Sequence, residues 1–162
     1  DLENRGLSDL VSTAGVLRNE GLGELAGPQR PDGFPMAPLA LATSDLDRDG
    51  RADLISLDEG GRLDLLLNRT ATPNEFVILS FTGRKNLKLA PGSEVEVKAG
   101  RLYQKKAYDG LPLHFGLGAY SEVDTVRLTW PNGLIQNESE QPAGQSHHYE
   151  EAQRLSGSCP MI

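Results

Sequence analysis

Asp45-Leu46-Asp47-Arg48-Asp49-Gly50-Arg51-Ala52-Asp53 sets carboxylates at positions 1, 3, 5 and 9 of one short run, with glycine at position 6, where the chain must turn sharply. Calcium is a hard ion that takes six to eight oxygens at about 2.3–2.6 Å. Four aspartates this close repel one another unless a cation sits among them. The spacing therefore predicts a Ca2+ site with side-chain ligands from Asp45, Asp47 and Asp49, a backbone carbonyl from Arg51, and Asp53 directly or through water. It is not an EF-hand, because Ser56 stands at position 12, where that loop places a bidentate glutamate. Leu39–Thr43 and Leu54–Leu57 on either side read as short strands, and the missing glutamate implies weak affinity suited to a calcium-rich environment.

The same pattern occurs earlier. Asp1-Leu2-Glu3-Asn4-Arg5-Gly6-Leu7-Ser8-Asp9-Leu10-Val11 aligns without a gap, 44 residues upstream, with Asp45–Ile55. A glycine-containing turn follows each copy, and then an apolar stretch ending in asparagine, Val16-Leu17-Arg18-Asn19 and Leu65-Leu66-Leu67-Asn68. A period in the forties suits a propeller blade or another repeat array. Glu3 and Arg5 replace Asp47 and Asp49, so no calcium is expected in the first copy. Its turn is expected to be held instead by an Arg5 pair with Asp1 or Asp9. A repeat cannot bury its apolar face alone, so the start at residue 1 implies earlier repeats, and the tail 153–162 implies a further segment.

The composition narrows the fold class to all-β. There are 162 residues with 38% hydrophobic, 18 glycines and 10 prolines, which favour many short strands joined by tight turns. Net charge is −7, which argues against nucleic acid as a partner. The one basic cluster, Arg101–Lys106, reads as the polar face of a strand, and no apolar run reaches the ~20 residues a spanning helix needs. Cys159 is alone and cannot form an internal disulfide, and Asn68-Arg69-Thr70 and Asn137-Glu138-Ser139 are sequons.

The second half alternates with a period of two. Val126, Leu128 and Trp130 share one face against Arg127 and Thr129, and Val95 and Val97 alternate with charged neighbours ahead of an Ala99-Gly100 turn. Phe76–Phe81 reads as a central strand and Pro131-Asn132-Gly133 as a tight turn. About six strands predict a small sandwich or barrel-like domain without a long helix. His114 reads as a structural histidine beside Phe115. Adjacent His147 and His148 point to opposite faces of a strand, a poor geometry for one metal. Asp109 and Glu122 are the carboxylates near His114 in sequence, and no nucleophile elbow, H-E-x-x-H or phosphate loop is present.

Residues 1–70 resemble the FG-GAP/VCBS repeat family, on the Asp45–Asp53 motif and its earlier copy. That resemblance implies β-propeller blades, one to two of them here, with calcium in a hairpin loop. Residues 75–152 resemble the ASPIC/UnbV domain. The resemblance rests on Gly92–Val97, on Leu113-His114-Phe115-Gly116-Leu117-Gly118, and on Val123–Gly133 with its Trp130-Pro131-Asn132-Gly133 turn. Together the two imply a calcium-stabilised, non-catalytic binding, adhesion or scaffold module. It is expected to be secreted, on the cell surface or periplasmic, with a protein or glycan partner. The alternatives are a subunit of a surface assembly built by strand pairing, with homo-assembly, and a carbohydrate-active or metal-assisted hydrolase centred on His114.

Overall fold

Glycine and proline at this density break a chain into strands, and the computed structural model, which describes residues 1–153, is built that way. The first half holds β1 (Leu10–Ser12), β2 (Gly15–Leu17), β3 (Asn19–Gly21), β4 (Glu24–Leu25), β5 (Pro38–Ser44), β6 (Asp53–Asp58) and β7 (Leu63–Leu66). The second holds β8 (Glu75–Thr82), β9 (Ser93–Ala99), β10 (Leu102–Tyr108), β11 (Leu113–Gly118), β12 (Glu122–Thr129), β13 (Ile135–Pro142) and β14 (Gln145–Glu150). No helix occurs among the described residues, and both strands expected to flank the acidic run are present as β5 and β6.

The second half is a two-sheet sandwich, with seven strands where the alternation suggested about six. One sheet runs β10-β9-β12-β13 and the other β11-β8-β14, so the apolar β8 is central as expected. Both sheets stay open, so the barrel-like alternative is not what forms. Val95 and Val97 from β9, Val126 and Leu128 from β12, and Val77, Leu79 and Phe81 from β8 meet between the sheets, all at most 2% exposed. Such a face stabilises by about 25 cal/mol per Å2 of apolar area removed from water. Trp130 closes one end of this core at 1% exposure, with its indole N–H donating to Gln136 Oε1 at 3.1 Å. Pro131-Asn132-Gly133 turns back as read, with Gly133 N–H donating to the Trp130 carbonyl at 2.8 Å and φ +80° at Gly133.

The basic cluster is not simply an outer face. Lys105 points outward to Glu94, but Gln104 and Lys106 turn toward β11, where they donate to the carbonyls of Gly116 at 2.7 Å and His114 at 2.5 Å. Period two forces this split, since alternate residues of β10 take opposite sides. Burial pushes the Lys106 ammonium below its usual range, and its Nζ lies 4.7 Å from the centre of the Phe115 ring.

The first half packs as two related units. Hairpins β1-β2 and β3-β4 follow the first loop, and the three-stranded β5-β6-β7 sheet surrounds the second. Leu10 pairs with Leu17 and Val11 with Val16, as Leu54 pairs with Leu66 and Ile55 with Leu65. The 44-residue alignment is therefore a structural repeat as well. Cys159 and the apolar tail lie outside the described residues.

Candidate functional site

Each copy of the loop is closed by its own first and ninth residues. Asp45 accepts the N–H of Asp49 at 3.2 Å and of Gly50 at 3.1 Å, and Asp1 accepts those of Arg5 at 2.9 Å and Gly6 at 2.6 Å. Asp53 accepts the N–H of Leu46 at 2.8 Å and Asn68 at 2.7 Å, and Asp9 those of Leu2 at 2.8 Å and Asn19 at 2.9 Å. The glycine corners match too, with φ +81° at Gly50 and +77° at Gly6. Carboxylates at positions 1 and 9 thus satisfy the loop's own backbone donors, which explains why both copies keep them.

The second copy also gathers three of its four carboxylates. Asp45, Asp47 and Asp49 each offer an oxygen lying within 4.8 Å of the others. Asp53 is not in this group; it is fully buried, with both oxygens spent on backbone N–H groups. The Arg51 side chain turns back onto Asp49 at 2.5 Å, and its Nε donates to the Asn68 carbonyl at 3.0 Å. Arg69, 62% exposed, reaches Asp47 at 2.9 Å and Asp49 at 3.3 Å. Two guanidiniums therefore neutralise much of the charge of the three carboxylates. Oxygens sharing one calcium at about 2.3–2.6 Å lie at most about 5 Å apart, a spacing these three carboxylates meet, while both Asp45 oxygens already accept backbone N–H groups.

In the first copy the Arg5 guanidinium pairs with Asp9 at 3.0 Å and Glu3 at 3.2 Å and donates to the Asn19 carbonyl at 2.8 Å. The internal pair expected there is present with Asp9, while Asp1 takes the backbone N–H of Arg5 instead. Asn68, the first sequon asparagine, donates its amide to the carbonyls of Leu2 and Ala52, so it ties the two loops together.

His114 supplies the contact that sequence reading missed. Its Nε2 lies 2.9 Å from the Gly50 carbonyl, 64 residues away, and its ring stacks on Phe76 at 5.8 Å. A carbonyl only accepts, so Nε2 carries the proton. Asn4, 2% exposed, donates its amide to the same Gly50 carbonyl at 2.8 Å. The Asn4 backbone carbonyl accepts the N–H of Gly118 at 2.7 Å. The run Leu113–Gly118 is thus the ledge on which both loops dock. Neither Asp109 nor Glu122 reaches His114: Asp109 accepts the N–H of Leu111 and Glu122 is exposed. His147 and His148 do take opposite faces of β14, His147 to the Pro142 carbonyl and His148 between Ser80 and Thr82. β14 and β11 flank β8 on opposite sides, so the three histidines are not gathered.

The family comparison falls on this ledge and the sandwich behind it: residues 83–156 match the family model described as ASPIC and UnbV. The second half carries an ASPIC/UnbV domain. Its sandwich begins earlier than the match, because β8 at Glu75–Thr82 is the middle strand of one sheet. Within the ASPIC/UnbV domain, Trp130 fills the core ahead of an exposed Pro131–Gly133 turn, and Leu113–Gly118 receives the two loops. No curated protein matches the chain.

Burial, partly offset by the bond to Gly50, holds the His114 imidazole below its ordinary 6.5. A histidine lowered on folding leaves the unfolded chain with more bound protons below pH 6.5, so its contribution is complete above that value and is lost as pH falls. We expect the melting temperature to drop between pH 7.5 and 5.5, and His114→Gln, which retains a donor for Gly50, to flatten that drop. Parallel pH profiles for the two chains would refute the assignment.

Proposed function

We propose that this chain is a calcium-braced, non-catalytic binding or scaffold module, exposed to extracellular or periplasmic calcium and directed at a protein or glycan partner. The observation that carries the reading is the convergence of Asp45, Asp47 and Asp49 within 4.8 Å at a glycine corner. Those three side chains would hold the ion. Bound calcium supplies fixed positive charge to a hard-oxygen cluster and stabilises the folded chain by mass action. The matching hydrogen bonds of the two loops also support an FG-GAP/VCBS-like reading of residues 1–70.

The consequence for stability follows from the loop's position. Gly50, one residue beyond Asp49, is gripped by His114 and Asn4, so ordering the loop also orders its seat on the ASPIC/UnbV domain. Calorimetric titration should give one calcium-binding event. At about a hundredfold excess over Kd the stabilisation should reach about 2.7 kcal/mol, and a melt in chelator should lose it. Asp49→Ala should remove most of that response, and an undiminished response would sink the site.

Arg69 gives an independent check. Its guanidinium competes with a cation for Asp47 and Asp49, and exposed ion pairs are weak, about 0–1 kcal/mol. Arg69→Ala should therefore tighten calcium binding by about two- to fivefold. A weaker affinity in that variant would mean that Arg69 organises the loop instead of competing for it.

A further inference from the structure

Asn132 differs from the other six asparagines of the chain because it alone precedes a glycine. Asn132 and Gly133 are both exposed, and their turn closes through the Gly133 N–H, which donates to the Trp130 carbonyl at 2.8 Å. Gly133 sits at φ +80°, in the left-handed region that favours glycine. The same lack of a side chain leaves the Gly133 nitrogen open to the side-chain amide carbon of Asn132. The residue that the turn requires is therefore the one that makes its neighbour chemically labile.

In the closed turn every reacting group is engaged. Besides the Gly133 N–H, the Asn132 Nδ2 donates to Glu151 Oε1 at 3.0 Å, and Oδ1 accepts the Leu134 N–H at 2.9 Å. Burial pushes the Glu151 carboxyl up, but the N–H groups of Asn86, Arg84 and Lys85 outweigh it and hold it at about 2, so it is ionised at neutral pH. An amide donor suits that carboxylate. A second carboxylate in the same place would repel it.

We infer that Asn132 is a site of spontaneous deamidation, and that its conversion undoes the tie between the Trp130–Gly133 turn and Glu151. When the turn opens locally, the Gly133 nitrogen gives its proton to solvent base and bonds to the Asn132 Cγ. The Cγ–Nδ2 bond breaks, and the amide nitrogen takes up a proton and leaves as ammonia. Water then opens the succinimide at either carbonyl, leaving aspartate or isoaspartate at position 132. Only water is consumed. Aspartate sets a carboxylate against Glu151 Oε1 where a donor had been, and isoaspartate adds a methylene to the backbone of the turn. Either product weakens the end of the sandwich where Glu151 also collects the N–H groups of Arg84, Lys85 and Asn86. Neither step involves Asp45, Asp47 or Asp49, so the outcome is independent of the calcium reading.

Peptide mapping by mass spectrometry, after prolonged incubation of the intact chain at pH 7.5, reads the reaction directly. Asn132 should gain the mass of an –NH2 to –OH exchange, while Asn137, exposed on the same tryptic peptide 128–154, should not. Unfolding in guanidinium should speed conversion at Asn132 by about tenfold or more, because the three bonds are then absent. Asn132→Asp reads the consequence. At neutral pH its folding equilibrium constant should fall about tenfold below that of Asn132→Ala, which loses the bond without adding charge. That gap should close as pH falls through the carboxylate range, where the new group is protonated. Amide exchange at Arg84, Lys85 and Asn86 should quicken in the aspartate variant. If that variant does not fold, the aged parent, separated by its added negative charge, supplies the same exchange measurement. A folded chain whose Asn132 converts no faster than Asn137 would overturn the inference. So would an Asn132→Asp chain as stable as Asn132→Ala at neutral pH.

Discussion

Glu151→Gln should lower stability at neutral pH by about 3 kcal/mol. Glu151 is only 2% exposed. Burial alone would raise its pKa, but its Oε2 accepts the N–H groups of Arg84 and Lys85 at 2.8 Å and Asn86 at 2.9 Å, and its carboxyl is held down to about 2 from 4.5. Oε1 accepts the Asn132 amide at 3.0 Å. One carboxylate thus joins the end of β14 to the loop after β8 and to the Trp130–Gly133 turn. Because the folded pKa lies below the unfolded one, this stabilisation is complete above pH 4.5 and is lost as pH falls toward 2. Urea unfolding of parent and variant should therefore differ at pH 7 and converge near pH 2. A constant difference across that window would show that the side chain acts by shape and not by charge.

Gly116→Ala should cost about 2–3 kcal/mol by forcing the first loop off its seat. A Cβ at Gly116 would lie 2.6 Å from the Asn4 backbone and would also meet the Asp1 carboxylate, and neither can yield without breaking the loop's internal bonds. Gly6 presses on the same place from the other side, where a Cβ would fall 2.6 Å from Leu102. Gly27→Ala is the matched control, with nothing within 4 Å of its Cβ, and it should change stability by less than about 0.5 kcal/mol. Amide hydrogen exchange should show faster exchange confined to the first loop and Gly118 in the Gly116 variant. Unchanged protection there would mean that the loops do not depend on the ledge.

Much of the fold was legible in the sequence because period two is a local property. Val126, Leu128 and Trp130 had to share a face whatever packed against them, and all three are buried together. The repeat was legible for a similar reason, since Asp1 and Asp45 close equivalent turns through bonds that span only four or five residues. The acidic triad followed from the alternating spacing of Asp45, Asp47 and Asp49.

Partners far apart along the chain were not legible. His114 gave no sign that it would reach Gly50, nor Glu151 that it would collect three N–H groups 65–67 residues away. Arg69 looked like part of a sequon, and its approach to Asp47 depends on how β7 delivers the chain back to the loop. Asp53 shared the charge and spacing of its neighbours, yet the pairing of Asn68 and Leu46 around it made it a buried brace. By itself the sequence determined the strands, the turns, the repeat and the acidic cluster, because each depends on residues close enough along the chain to constrain one another's backbone. Only the tertiary structure decided which loop rests on which sheet and which charges neutralise the cluster, because those depend on the relative placement of elements that no local pattern encodes.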